Sequence, residues 1–138
     1  MKIVKKNVYY CDFCKKRSLS ASAMKKHEKR CTANPDRECR MCAGSVIKDE
    51  IEPLKARFTI IENGETGERT VKWTGEPVTL EQVREIADDC PVCTFALLRQ
   101  TKLNYSCFGF QFDFKKELSE AMAERNREIE YHQYYGTY

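Results

Sequence analysis

Three Cys-x2-Cys pairs constrain this chain more than any other feature of its sequence. The first pair, Cys11 and Cys14, is followed at x12 spacing by His27 and at x3 spacing by Cys31. A tight turn directs the first two thiolates to one point, and residues four apart lie on one face of a helix. Three thiolates and an imidazole at this spacing are typical ligands of tetrahedral zinc, so the sequence predicts a zinc site here.

A second ligand set follows from the other two pairs. Cys39 and Cys42 are separated from Cys90 and Cys93 by 47 residues, and no other Cys or His remains in twos. We therefore predict two structural Zn²⁺ ions, because four protein ligands leave no open position for water or substrate. Cys107, the eighth cysteine, is left over, and we expect it to be a small buried apolar side chain.

A length of 138 residues fits one domain, or a small domain beside a medium-sized one. A unit of about 30 residues buries too little apolar surface to fold without its metal. We predict a basic zinc finger over residues 1–34 (the finger) and an α+β four-cysteine module over residues 35–138 (the module). The N-terminus MKIVKKNVYY lacks a long apolar segment, so we expect no signal peptide. Cysteines in metal-binding pairs, without a membrane span, predict a protein of the reducing cytoplasm rather than a secreted disulfide protein.

The net charge of +3 conceals a strong polarity along the chain. Residues 1–42 hold twelve Lys/Arg against four Asp/Glu, a net charge of +8. Residues 43–138 hold twelve against seventeen, a net charge of −5. The first part is therefore suited to an anionic partner and the second part is not.

The residues around the first ligand set predict a ββα-like unit. We expect residues 2–10 to form a short strand, and Ser18 or Ser20 to cap a helix that runs to about Arg30. The apolar core of this unit is predicted to consist of Leu19 and Met24.

The pattern Tyr9-x-Cys-x2-Cys-x12-His-x3-Cys resembles the Cys2His2 zinc finger with cysteine as the fourth ligand. Tyr9 stands at the aromatic position that packs beside such a finger, and Met24 stands at the usual apolar position three residues before His27. Leu19 falls one residue later than the usual aromatic. The continuation HEKRCTANPDRECRMC is also similar to small zinc-finger proteins of bacteriophages and prophages. This second resemblance covers about a third of the chain and implies a phage source, and hence the host cytoplasm.

The module contains a predicted hairpin and two helices. Residues 54–62 and 68–74 favour two strands joined by the turn NGETG. Thr79 and Gln82 form a capping-box pattern that opens a helix, and Pro91 suits the first turn of another. This order of elements resembles a treble-clef zinc site, which consists of a knuckle, a hairpin and a helix that carries the last ligand pair. The extra helix before Cys90 is a departure from that pattern.

The C-terminal part of the module combines an aromatic row with a charged helix. Phe108, Phe110, Phe112 and Phe114 alternate with other residues, which predicts a strand whose aromatic face packs in the core. A helix is expected from about Asp113. It carries a narrow stripe at i, i+4, i+7 spacing, consisting of Leu118, Met122, Arg125 and Ile129.

The basic residues of the finger predict contacts with nucleic-acid phosphates. If His27 is placed as in DNA-binding fingers, Ser20, Ala23 and Lys26 would face the bases, and only Lys26 could make a strong base contact. We therefore expect sequence-tolerant binding to DNA or RNA. The residues predicted to carry it are Lys15, Lys16, Arg17, Lys25, Lys26, Lys29 and Arg30.

Two other functional classes compete with this prediction. In one, the chain is a protein-interaction module, for example a phage factor that binds a host protein, or one that self-associates into a homo-oligomer. The contact would then fall on the acidic helix and on Tyr131, Tyr134, Tyr135 and Tyr138, because Tyr is favoured at interfaces. In the other the chain is an enzyme, which we disfavour because His132 is the only histidine outside the finger.

Overall fold

The chain has a mixed α+β fold, as predicted, with five α-helices and two small antiparallel sheets among the described residues. The computed structural model describes residues 1–42 and 48–135, and side chains as far as residue 129. The tyrosine side chains of the tail and His132 therefore lie outside the described part of the chain.

The finger has the ββα order expected from its ligand spacing. Strand β1 (Tyr9–Tyr10) pairs antiparallel with β2 (Arg17–Ser18), and α1 (Ala21–Arg30) follows. The predicted cap is confirmed at Ser20, whose hydroxyl accepts a hydrogen bond of 3.3 Å from the backbone N–H of Ala23. This bond satisfies one of the N–H groups that lack a partner in the first helical turn.

Three expectations for the finger were wrong in detail. The strand predicted over residues 2–10 is confined to Tyr9–Tyr10. Met24 is 5% exposed as predicted, but Leu19 is 63% exposed and Tyr9 is 36% exposed. Leu19 lies in the turn between β2 and the cap of α1 and faces solvent there. The two-residue strands offer little surface against which larger side chains could pack.

The first helix described in the module was not predicted from the sequence. Helix α2 (Lys48–Lys55) precedes a hairpin of β3 (Phe58–Glu62) and β4 (Arg69–Trp73), paired from Phe58↔Trp73 to Glu62↔Arg69. The hairpin is confirmed, but the strand predicted over residues 54–62 starts four residues later. Residues 54 and 55 complete α2 instead, and Leu54 is buried in the core.

The core of the module forms around two helices that follow the hairpin. Helix α3 (Leu80–Ile86) has the predicted capping box, in which the side chains of Thr79 and Gln82 each accept a backbone N–H of the other residue. Helix α4 (Pro91–Thr101) begins at the proline, as predicted. Its residues Ala96, Leu97 and Leu98 are no more than 2% exposed.

The strand predicted for the aromatic row does not form. Ser106–Phe108 make a 3₁₀ turn, Gly109 follows with a left-handed φ of +68°, and no strand is assigned before Phe114. The prediction that the rings pack in the core is confirmed. The Phe108 ring lies against Phe58 and Trp73, with centroids 4.9 and 5.7 Å apart. The row therefore covers the face of the hairpin with side chains and adds no third strand.

The last helix extends beyond the core. Helix α5 (Phe114–Tyr135) packs against α4, and Phe114 stacks on Phe95 with ring centroids 4.5 Å apart. Every described side chain from Met122 to Ile129 is exposed. This described stretch of α5 thus presents exposed side chains on all its faces.

Candidate metal centres and basic surface

The first predicted ligand set converges in the structure. The three sulfur atoms and one ring nitrogen of Cys11, Cys14, His27 and Cys31 all lie within 4.8 Å of one another. The Sγ of Cys14 is 3.2 Å from Nε2 of His27. Cys11 and Cys31 are buried, and the other two residues are half-buried. The arrangement has the size and the donor atoms of a closed tetrahedral metal site.

Local backbone geometry positions these four side chains. The N–H of Cys11 donates to the carbonyl of Lys16 at 2.8 Å, and the N–H of Lys15 donates to the carbonyl of Cys11 at 3.0 Å. Lys15 adopts a left-handed φ of +64°, which closes the turn and directs both cysteines inward. His27 projects from α1 and Cys31 caps its C-terminal end. Hairpin and helix thus hold two ligands each.

The thiols of the finger differ in acidity when no metal is bound. Burial raises the pKa of Cys14, but hydrogen bonds from the Lys16 backbone, His27 and the neighbouring thiols outweigh it and lower this pKa to about 6. Burial raises the pKa of Cys31 to about 11, and the adjacent Cys14 thiolate contributes to the rise. The cluster therefore holds a thiolate beside a protonated thiol at neutral pH, and a metal ion must displace the proton.

The second predicted set also converges. Sulfur–sulfur distances are 3.7 Å between Cys39 and Cys90 and 3.5 Å between Cys42 and Cys93, and all four sulfurs lie within 4.8 Å of one another. A tetrahedral ion with Zn–S bonds of about 2.3 Å separates its sulfurs by about 3.8 Å. A disulfide would require about 2.05 Å. The four thiols therefore fit a metal ion of the size of zinc and not a pair of disulfides.

The environment of this second set favours a proton or a metal ion on its sulfurs. Hydrogen bonding to Cys93 and burial raise the pKa of Cys90 well above its usual range. The guanidinium of Arg37 donates to Sγ of Cys93 at 3.6 Å. Four thiolates around a divalent ion carry net negative charge, and a nearby cation offsets part of it. Sequence reasoning missed this role because Arg37 lies in the linker between the ligand sets.

Helix α4 connects the two clusters physically. Its first turn supplies Cys93 to the second cluster, with Cys90 as the preceding cap. At its other end, Arg99 donates to the Thr32 hydroxyl at 2.9 Å. Gln100 donates to the carbonyls of Thr32 and Asn34 at 2.9 and 3.1 Å. The chain leaving the finger is thereby fixed to the module, a contact that no local sequence pattern signals.

The predicted phosphate-contacting residues are all exposed on the finger. Within residues 1–42 and 48–135, the salt bridges of the structure involve none of them. Four lie on α1, namely Lys25, Lys26, Lys29 and Arg30. The other three follow the first ligand pair, namely Lys15, Lys16 and Arg17. Ser20 and Ala23, predicted to face bases, are also exposed at the start of α1. Exposed basic side chains therefore lie both on α1 and in the segment that follows the first ligand pair.

Cys107 lies outside both clusters. Its side chain is half-buried in the 3₁₀ turn, which is less buried than predicted. None of the helices in the described part of the chain is both long enough and apolar enough to cross a membrane.

Comparison with models of protein families, with curated proteins and with solved structures finds no match for this chain. The similarity to phage zinc-finger proteins therefore stays a prediction from sequence. The structure supports two clusters that are compatible with zinc sites. One consists of three cysteines and a histidine, and the other consists of four cysteines.

Proposed function

We propose that this chain is a non-catalytic cytoplasmic protein that holds two structural zinc ions and binds the phosphates of DNA or RNA through its finger. The observation that carries the nucleic-acid part is the exposed basic surface around α1, whose cations form no salt bridge within the described residues.

The donor atoms support zinc at both sites. Three thiolates with an imidazole, and four thiolates, are soft ligand sets that select zinc over magnesium or calcium. Both sets supply four protein ligands, so the metal would stabilise the fold and would have no vacant position for substrate. This is the basis for proposing that the protein is not an enzyme.

The placement of the basic residues supports phosphate binding. Lys25, Lys26, Lys29 and Arg30 lie on a helix whose own first turn carries no acidic residue. Lysine and arginine side chains bind phosphates without reading sequence, and each contact releases a counterion. Ser20 and Ala23 are too short for strong base contacts, which favours low sequence specificity.

The direct test is fluorescence anisotropy with labelled single- and double-stranded DNA and RNA. We expect the logarithm of affinity to fall linearly with the logarithm of salt concentration. Lys25→Glu/Lys26→Glu should abolish binding at moderate salt, because two attractive contacts become repulsive. A matched control is Lys115→Glu/Lys116→Glu, which makes the same charge change at exposed positions of α5. Equal losses in both variants, or none in the first, would contradict the proposal.

A protein-interaction module is the second candidate. Several apolar side chains of the finger are exposed, among them Tyr10 at 58%, Phe13 at 42% and Leu19 at 63%. Exposed apolar side chains mark a contact surface where they form one contiguous patch. On this alternative Lys25→Glu/Lys26→Glu preserves function and truncation after Arg127 removes it. A protein with two zinc ions but no nucleic-acid binding at low salt would favour this candidate.

A further inference from the structure

A groove of about 580 Å³ lies where the finger, the linker between the ligand sets and α5 meet. Its apolar lining includes Met41, Leu118 and Met122. Its charged lining consists of four arginines and one glutamate, namely Arg30, Arg37, Arg40, Arg125 and Glu38. The volume is that of a small-molecule site. The groove is therefore large enough for one unit of a longer ligand, and it suits a unit that combines negative charge with an apolar face.

The charge of the groove is positive. Arg37 donates to Sγ of Cys93, so its charge serves the second cluster. The other three arginines, against the single carboxylate of Glu38, leave a net charge of +2. All three are exposed, and within the described part of the chain none of them forms a salt bridge. Their guanidinium groups are therefore available to an anion, for which arginine is a strong hydrogen-bond donor.

Helix α5 presents different charges on two of its sides. The residues that it contributes to the groove are Leu118, Met122 and Arg125. A separate cavity of about 330 Å³ is lined by three of its carboxylates, Glu117, Glu120 and Glu124, together with Asp89 and Arg84. Arg84 pairs with Glu117, so the other carboxylates leave this second cavity acidic. A polyanion is therefore attracted to the groove side of α5 and repelled from the other side.

Helix α1 leads directly to the groove. Arg30 is the last residue of α1 and lines the groove. Lys26 lies four residues before Arg30, and residues at this spacing share one face of a helix. Both residues belong to the set for which phosphate contacts are proposed. A strand that is bound along this face of α1 is therefore directed past Arg30 and into the groove.

We propose that the groove binds one nucleotide of a single-stranded nucleic acid that α1 holds at the same time. The phosphate lies against Arg40 and Arg125, and the base lies against the apolar side chains of Leu118 and Met122. This inference rests on the proposed function and adds to it a preference for single strands. The bases of a duplex are paired and stacked inside it and cannot enter a pocket, whereas those of a single strand can turn outward.

Fluorescence anisotropy of the zinc-loaded full chain, with a labelled single strand and the matching duplex, tests the preference. We expect the single strand to bind more tightly. Arg125→Gln should weaken its binding and reduce the salt slope by about 0.7, the value for one phosphate contact of a single strand. Arg127→Gln is the matched control, because Arg127 is exposed on α5 and does not line the groove. It should leave the salt slope unchanged.

The contact with the base has a test of its own. Met122→Gln keeps the size of the side chain and makes it polar, so it should weaken single-strand binding severalfold without changing the salt slope. Binding of the duplex should be unaffected. Ile129→Gln makes a similar change at an exposed position of α5 that does not line the groove, and it should alter neither affinity.

Methyl NMR of the methionines locates the bound strand directly. Of the four methionines, Met41 and Met122 line the groove, and Met1 and Met24 do not. The single-stranded oligonucleotide should shift the signals of the first two and leave that of the buried Met24 in place. A short peptide of glutamate and leucine is the competing probe. Shifts with the peptide and none with the oligonucleotide would assign the groove to a protein and overturn the proposal.

The outcomes separate this inference from the function on which it rests. Single-strand binding that is weakened by Lys25→Glu/Lys26→Glu but equally strong in Arg125→Gln and Arg127→Gln would overturn the groove and leave the finger as the phosphate-binding element. A duplex that binds as tightly as the single strand, in the parent and in Met122→Gln alike, would also overturn it. A parent chain that binds no nucleic acid at low salt would overturn both.

Discussion

The finger and the module use their cysteines differently. Among the described residues, the buried cluster of the finger is Cys11, Met24 and Cys31, so two of its three members are predicted ligands. The buried cluster of the module has thirteen residues, of which three are predicted ligands. The apolar core of the finger thus consists almost entirely of its metal site. The module has an independent core to which its metal site is attached.

Removal of metal should separate the two regions most clearly. Structural zinc supplies about 10–16 kcal/mol of apparent binding free energy in small fingers, far more than Met24 alone can replace. We expect chelation to unfold the finger while the core around Leu97 keeps the module collapsed. Amide NMR spectra before and after chelation would show this as loss of dispersion for residues 9–34 only. Unfolding of both regions on chelation would contradict the idea that the module has a core independent of its metal.

The second largest expected effect is a loss of metal affinity of the finger at low pH. Without metal the pKa of Cys31 is about 11, so its proton must be displaced at every pH below that value. Below pH 6 Cys14 must lose a proton too. Affinity should therefore fall with decreasing pH by at least about tenfold per unit, and more steeply below about pH 6. Competition with a chelator from about pH 8 to pH 5 measures it. A flat profile would contradict thiol ligation, and Cys107→Ser should leave the profile unchanged.

Truncation of one core leucine should sharpen the contrast between the regions. Leu97 is fully buried in α4, and Leu97→Ala should lower the free energy of unfolding of the zinc-loaded module by about 2–5 kcal/mol. Leu19→Ala removes the same atoms from a side chain that is 63% exposed. It should lower the free energy of unfolding of the zinc-loaded finger by less than about 0.5 kcal/mol. Urea denaturation compares the two variants. Equal costs would show that the finger has an apolar core beyond its metal site.

The smallest expected effect concerns the connection between the regions. Gln100→Ala removes hydrogen bonds to the carbonyls of Thr32 and Asn34. This loss should destabilise the segment that leaves the finger, residues 31–38, by about 1–3 kcal/mol. Hydrogen exchange of amides 31–38 reports the loss. Gln111 is exposed, so Gln111→Ala is a control that should not change this exchange. Unchanged exchange in Gln100→Ala would show that the finger is held to the module by other contacts.

Local chemistry explains which parts of the fold were predictable from sequence. Ligand spacing alone grouped the eight metal-site residues, because a tetrahedral ion tolerates few arrangements. The caps at Ser20 and Thr79 and the proline at the start of α4 were also predictable, since each satisfies backbone groups within its own helix.

The errors arose where distant contacts outweigh local pattern. Alternating phenylalanines indicated a strand, but Phe108 packs its ring on the hairpin and the left-handed Gly109 interrupts extended backbone. Pro53 obscured helix α2, in which it lies near the C-terminal end. The contacts of Arg37 and Gln100 join residues at least 56 positions apart. No short sequence pattern encodes such pairs.

Metal content per chain tests the central claim most directly. Native mass spectrometry of the purified protein should show the 16.1 kDa chain with two zinc ions. Cys11→Ser and Cys93→Ser should each lose one ion, and Cys107→Ser should keep both. One zinc ion or none in the unaltered chain would contradict the account, because both closed ligand sets are proposed to be structural sites.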